Sequence, residues 1–359
     1  MGVSRAGFRY VPYGEIGGAP NVIVDGSPAA GTVLCLSHWP GIESPTQFHA
    51  DLSAQMAFAY ADASDGHESL DGAESPDGVD GAEIVSNNHF DQDGLVGVFA
   101  LASPEAARSR HDLLVEVARA GDFAVTHCRE AARISMALSA YADPSRSPCR
   151  DLPEDYDAMA AALYTELLGR LPELCDHPDR WRSLWDEEDA SLRASEAALA
   201  SGTVTIEEVP EVDLAVVTVP AADEYRTGAG GHRFAGQWAV GLHPIAVCTA
   251  TQRGALLTIR DRRYELLYRY ESWVQYRTRS VRPRVDLEPL ARRLNDTEAD
   301  APGAGGGVWT ADDVSALTPA LRSCDNNAES HIDAHVVQSA VIEHLRSAPP
   351  AWNPYQVTR

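Results

Sequence analysis

The order of apolar runs predicts an α/β fold: a parallel-sheet N-terminal domain with helices on both faces, followed by a smaller α+β domain. Three observations carry this. Short β-branched runs alternate with longer helical patterns before Gly202, the texture changes to closely spaced strands after it, and 359 residues exceed what one hydrophobic core normally supports. The expected domains are residues 1–201 and 202–359, the second with a glycine-rich loop and a helical C-terminal tail.

Asn21 to Asp25 and Thr32 to Leu36 are short apolar runs between Gly- and Pro-rich punctuation, and read as strands. Pro45 to Tyr60 has helical spacing, Asp62 to Gly81 reads as an acidic loop, and Ala82 to Val85 as a third strand. Leu95 to Ala102 begins a buried helix, Ala106 to Ala120 an amphipathic one that stops at Gly121, and Ala131 to Tyr141, Tyr156 to Leu171 and Arg180 to Ala200 continue the helical stretch. Beyond the boundary, Thr203 to Val209, Leu214 to Val219, Ile245 to Thr251, Ala255 to Arg260 and Tyr264 to Tyr276 read as strands. The strand, helix, strand order of the first part implies parallel crossovers.

The formal net charge of -24 argues against broad adhesion to nucleic acid or to an anionic membrane, and a small-molecule ligand fits it better. With no long apolar run and no apolar leader, the expectation is a soluble cytoplasmic protein, and a homodimer is left open. Six scattered cysteines without a C-x-x-C pair suit reduced thiols. Every basic residue is arginine, so chemistry that needs a lysine, including Schiff bases and the Walker A loop, is excluded. Eleven of these arginines fall between Arg253 and Arg293, where they make either an anion-binding face or the solvent side of alternating strands.

The segment Ser86-Asn87-Asn88-His89-Phe90-Asp91-Gln92-Asp93-Gly94 crowds an imidazole and two carboxylates onto a strand-to-helix turn. Such turns line the crevice at the carboxyl ends of parallel strands. Carboxylates packed this closely call for a cation, and His89, Asp91 and Asp93 are candidate ligands of a hard, mostly oxygen-ligated ion, Mn2+ or Mg2+. The same residues also fit an Asx-type turn with an N-capping carboxylate. His38, at the end of the neighbouring strand, is a candidate ligand or general acid, or else part of an aromatic cluster with Trp39. Asp25 also ends a strand, but Asp-Gly is a common turn dipeptide. His331 and His335, four apart on an expected helix, read as a metal pair or as solvated surface.

The His-x-Asp-x-Asp-Gly turn after a strand resembles the first metal motif of the DHH phosphoesterase superfamily. Asp286 to Asn295 is similar to the helix of that superfamily's second domain, and Gly303 to Trp309 to the phosphate-contacting glycine loop after it. Taken with Ser37-His38-Trp39-Pro40-Gly41 and Gly121-Asp122-Phe123, the chain looks like an uncharacterised bacterial branch of that superfamily over most of its length. The resemblance implies a metal-dependent phosphoesterase acting on a small phosphorylated substrate. It implies Asp122 as a further metal ligand, which otherwise reads as the end of one helix and the start of a strand, and Gly305, Gly306 and Gly307 at the substrate, which otherwise read as plain linker; Asp93 and His38 are the candidate catalytic residues. His232, in a second glycine loop, competes for that last role. The chain lacks an Asp-His-His triplet, its closest substitute being Asp176-His177. Two alternatives stand beside this: a non-catalytic nucleotide- or phosphate-binding protein that retains the fold, and a haloacid-dehalogenase-like phosphatase, whose nucleophile loop Phe90 to Gly94 also resembles, with Asp91 as nucleophile.

Overall fold

The computed structural model describes residues 7–66, 79, 81–221, 241–300, 308–323 and 329–357. The chain is a mixed α/β protein with one all-parallel sheet and one mixed sheet. Two compact units emerge from the packing of the described residues, one comprising those up to Asp189 with Tyr276–Thr278, the other those from Ala190 to Val357 apart from that tripeptide.

In the first unit, β1 (Arg9–Tyr10), β2 (Asn21–Val24) and β3 (Thr32–Leu36) are followed by α1 (Ser53–Gly66) and β4 (Ile84–Ser86). The strands lie in the order β1-β4-β2-β3, every pair parallel, so all of them end at the same edge. The helical stretch comprises α2 (Gln92–Ala102), α3 (Pro104–Arg108), α4 (His111–Phe123), α5 (Arg129–Ala142), α6 (Tyr156–Asp176) and α7 (Arg182–Ala200), the last crossing from one unit into the other.

Every residue of β2 is buried, as expected of a central parallel strand covered on both faces. On one face Val24 meets α2 at Gly97, where a Cβ would come within 2.4 Å of the Val24 side chain, so only glycine lets helix and strand approach this closely. On the other, Ile23 packs with Val11, Ile16, Cys35 and Ile42. These come from strand β3 and irregular chain, not from a helix, which departs from the expected helical cover on both faces. The reason is the β2–β3 connection. It runs from Asp25 to Gly31 without a helix, held by Asn21 Nδ2, which donates to the carbonyls of Ala19 and Ala30, and by Thr32 Oγ1, which donates to Asn21 Oδ1. The β3–α1–β4 connection is the expected helical crossover.

From Gln92 to Leu101, α2 is buried all round, which explains its near-unbroken apolar run. Gly121 does not stop α4. It lies in the last turn, where a Cβ would meet the Gln92 side chain at 2.5 Å, and Ala124 supplies the left-handed cap at φ 51°. Gln92 also donates to the carbonyl of Ser135 and to Ser139 Oγ, tying α2 to α5.

The second unit is built on β5 (Thr205–Val209), β6 (Leu214–Val219), α8 (Pro244–Ala250), β7 (Ala255–Arg260), β8 (Arg263–Tyr268), β9 (Arg284–Val285), α9 (Glu288–Ala299), β10 (Trp309–Ala311), β11 (Ala320–Ser323), α10 (Ala334–Ser347) and β12 (Pro350–Trp352). Its six-stranded sheet runs β10-β11-β8-β7-β6-β5, antiparallel except for β6 beside β7, and β9 pairs with β12. Leu290 and Leu294 of α9 and Val337, Val341 and Leu345 of α10 join Val216, Leu257 and Leu266 of the sheet in one core.

The expected strand from Ile245 to Thr251 is helix α8. Pro244 pre-sets the first turn and His243 Nδ1 accepts from Ile245 N, and a short buried apolar run does not itself distinguish the two states. The strand expected to reach Tyr276 ends at Tyr268, where a short helical turn over Tyr270–Ser272 begins. The arginines do not follow the solvent-side reading throughout: Arg260, Arg269 and Arg284 are buried. Arg269 pairs with Glu271 at 2.6 Å, and Arg284 donates to the carbonyls of Val314, Ala316 and Leu317 and to Ser272 Oγ. Arg253, Arg262, Arg263 and Arg279 also lie in ion pairs with acids of this chain, which spends much of the positive charge that an anion-binding face would need. His331 precedes α10 and sits 3.7 Å from Glu298, so it does not share a helix face with His335. No helix among the described residues is long and apolar enough to cross a membrane.

Candidate metal centre

Because the sheet is parallel, the residues that follow β2, β3 and β4 meet at one edge. They are Asp25, His38 and the turn Asn87 to Asp93, joined by Asp122 from the last turn of α4. Asp25, Asp91, Asp93, Asp122 and His38 are buried and His89 is nearly so. Of the four residues that the sequence brought forward as metal ligands, His89 and Asp91 lie together with Asp25, while Asp93 and Asp122 border His38.

Asp25 takes a left-handed backbone at φ 52°, a conformation that aspartate tolerates better than most residues and that turns its carboxylate into the cluster. Its Oδ1 accepts from Ser53 Oγ at 2.9 Å and lies 3.4 Å from His38 Nε2. Its Oδ2 lies 3.4 Å from His89 Nε2, and no hydrogen bond satisfies that buried oxygen. Ligand atoms of Asp25, His89 and Asp91 fall within 4.8 Å of one another, and so do those of Asp25, His38 and Asp93. Asp25 is common to both groups.

His38 Nδ1 lies 2.6 Å from the carbonyl oxygen of Asp51. A carbonyl has no proton to give, so Nδ1 is the donor, and in the neutral ring the lone pair sits on Nε2. That nitrogen faces Asp25 Oδ1 at 3.4 Å, Asp122 Oδ2 at 3.6 Å and Asp93 Oδ2 at 4.0 Å. A lone pair directed at three carboxylates is repelled by them unless a proton or another cation stands between.

The turn itself is built from local rules. Asp91 Oδ1 accepts from Gly94 N at 2.7 Å and caps α2, and Asn87 Oδ1 accepts from His89 N at 3.0 Å. The capped-turn reading is therefore correct for Asp91 Oδ1, while Asp91 Oδ2 meets His89 Nε2 at 2.8 Å. Glycine is required at position 94, where a Cβ would strike Asn87 Nδ2 at 2.1 Å and Tyr164 Oη at 2.6 Å. Asp93 has a second job. Both its oxygens accept main-chain N–H groups at the start of α1, from Ser53 and Ala54 at 2.8 Å each, so it anchors that helix while bordering the cluster.

The electrostatics record the excess of negative charge. Burial alone would lower the His89 pKa, but Asp91 and Asp25 outweigh it and lift it to about 10. Burial pushes the Asp93 carboxyl well above its usual range, with Asp25 and Asp91 adding to the rise and the amides of Ala54 and Ser53 opposing it. Protons on His89 and Asp93 thus offset part of the negative charge of the cluster.

Asp25 was not among the predicted ligands, and Asp51, whose carbonyl oxygen meets His38 Nδ1, was not among the predicted site residues. Asp25 carried a signal that could have found it, since it follows a short, mostly apolar strand run at the same sheet edge as the His89 turn, but the Asp-Gly dipeptide masked it. Asp176, the substitute for the missing triplet, is exposed and paired with Arg110 at 2.6 Å. Gly305, Gly306, Gly307 and His232 lie outside the described residues.

Nothing matches among the curated proteins or among the solved structures. The profile of a family described as "Family of unknown function (DUF6687)" matches residues 6–356, nearly the whole chain, and the protein belongs to that family.

Proposed function

We propose that this protein is a divalent-metal-dependent phosphoester hydrolase acting on a small phosphorylated substrate. The observation that carries the reading is the convergence of four buried aspartates and two histidines at the carboxyl edge of one parallel sheet, with Asp25 common to both ligand groups. The donor set fits Mn2+ or Mg2+. Oxygens dominate, two imidazoles favour Mn2+, and His38 has its other ring nitrogen tied to a carbonyl, as metal-binding histidines commonly do. Asp25, His89 and Asp91 would hold one ion, and Asp25 and His38, with Asp93 or Asp122, a second. A bound ion of this kind lowers the pKa of a water and neutralises phosphoryl oxygens.

The chain's own groups do the rest. Ser53 and Asp51 orient Asp25 and His38, the amides of α1 hold Asp93, and Gly94 lets Asn87 and Tyr164 close behind Asp91. This disfavours the dehalogenase-like alternative, which needs Asp91 as a nucleophile and Asp93 as a mobile acid/base. Asp91 already caps α2 and binds His89, and Asp93 is held by two amides. The phosphoester class rests on the resemblance of the His89 to Gly94 turn to the DHH phosphoesterases, as does the division into a metal-binding part, residues 1–201, and a substrate-binding part, 202–359. The free thiols of Cys35, Cys128, Cys149, Cys175 and Cys248 support a reducing, cytoplasmic setting.

The test is hydrolysis of bis(p-nitrophenyl) phosphate with added Mn2+, in the wild type and in Asp25→Asn and Asp91→Asn. Turnover that needs Mn2+ and disappears in both variants supports the assignment, whereas equal rates in all three proteins remove it. Mn2+ binding without turnover of this or other phosphoesters would favour the non-catalytic binding protein instead.

A further inference from the structure

We propose that Asp51 and the tripeptide Tyr276–Thr278 form a clasp that fixes the ring of His38, which makes Asp51 and Thr278 positioning residues of the metal centre; the inference rests on the metal-centre reading above. Asp51 belongs to no motif and is 1% exposed. Its Oδ1 accepts the main-chain N–H groups of Arg277 at 2.6 Å and Thr278 at 2.9 Å, and its Oδ2 accepts Thr278 Oγ1 at 2.6 Å. A buried carboxylate with that set of donors is held in one orientation. The main-chain carbonyl of the same residue receives His38 Nδ1–H, and that single contact decides which ring nitrogen faces the aspartates.

A second route leads to the same ring. Tyr276 meets Phe123 edge-on with centroids 5.2 Å apart, and Phe123 lies 6.2 Å from the His38 ring. The tripeptide therefore reaches His38 through a hydrogen-bond chain and through aromatic packing. Although its neighbours in sequence belong to the second unit, residues 276–278 pack with the first. Nothing in the local sequence of the tripeptide requires that excursion, and completing the surroundings of His38 accounts for it. Outer-shell groups of this kind orient a ligand and tune its affinity without touching the ion.

The experiment uses the full-length chain labelled with 15N-histidine and compares the wild type with Asp51→Asn, Thr278→Val and Thr278→Ser. In chelator, the wild type should give a low-field, slowly exchanging Nδ1–H resonance for His38, assigned by its loss in His38→Gln. Thr278→Ser, which keeps the hydroxyl, should retain it. Asp51→Asn and Thr278→Val should shift or lose it and should weaken Mn2+ binding by about tenfold, with Thr278→Val melting in chelator within a few degrees of the wild type. If Asp51→Asn does not fold, the near-isosteric Thr278→Val decides. An unchanged resonance in Thr278→Val, or a lost resonance with unchanged Mn2+ affinity, overturns the clasp. A wild type that binds no Mn2+ removes the metal-centre reading instead, and the resonance alone then decides whether the clasp exists.

Discussion

Replacing Asp25 by asparagine separates a metal centre from an ordinary buried polar network. Ligand atoms of Asp25 lie within 4.8 Å of those of Asp91 and of Asp93, and at an effective dielectric near 20 a pair of like charges at that distance costs about 3.5 kcal/mol. The attraction between Asp25 and a protonated His89 at 3.4 Å returns about 5 kcal/mol on the same scale. A neutral amide of the same shape removes both repulsions and the one attraction, a net gain of about 2 kcal/mol. Protonation of Asp93 removes one of the repulsions and turns that gain into a cost of about 1.5 kcal/mol, which relief from burying a charge offsets. Asp25→Asn should therefore melt within a few degrees of the wild type in chelator. With Mn2+ at a hundred times its dissociation constant the wild type should gain about 2.7 kcal/mol, and the variant should gain almost nothing. Differential scanning fluorimetry with EDTA and then with Mn2+ reads both effects. A variant that melts far below the wild type in EDTA, yet rises as much with Mn2+, refutes the reasoning, because Asp25 would then be a stabilising polar residue and not a ligand.

Gly97→Ala should cost about 1 to 3 kcal/mol in urea unfolding, since its Cβ would sit 2.4 Å from the Val24 side chain and force α2 away from β2; because Asp25 follows Val24, Mn2+ affinity should fall as well. Glu265 is buried beside Arg322, and burial outweighs that partner and lifts its pKa from 4.5 to about 7. The folded state thus holds a proton that the unfolded state has lost between those values, so this contribution to stability is full below pH 4.5 and declines as pH rises through 7. The wild type should lose up to about 3 kcal/mol more than Glu265→Gln between pH 5 and pH 8, read as the difference between their urea midpoints. Parallel pH profiles for the two proteins would show that the Arg322 pair keeps Glu265 ionised.

What the sequence revealed and what it hid follow from the range of the interactions involved. The Asn87 to Gly94 turn was legible because its cap, its Asx bond and its ligand spacing all lie within a few residues. The parallel sheet was legible because β-branched runs and a helical crossover are local patterns too. Asp25 was hidden, since its role depends on His38 and His89, which lie on neighbouring strands of the sheet. Gly121 was misread for the same reason: its small size serves contact with Gln92 of another helix and not the end of its own. Asp51 gave no sign at all, because its partners lie more than two hundred residues further along the chain. The run from Ile245 to Thr251 failed differently. Its apolar residues satisfy a strand or a buried helix equally, and the capping His243 with Pro244 tips the balance.

The arrangement of the charges is harder to explain by stability than by function. Four aspartates, each at most 3% exposed, converge around two imidazoles, although asparagine at these positions would avoid the repulsion and the desolvation. Asp93 has a structural return, in the amides of α1, and Asp91 recovers part of its cost as the cap of α2. Asp25 has one hydroxyl and a strained backbone, and its second oxygen faces only an imidazole. A fold selected for stability alone would replace Asp25 first. Asp25 stands at the point shared by both ligand groups, and this is why the Asp25 variant, rather than one in the more conspicuous His89 to Gly94 turn, gives the sharpest test of the proposed centre.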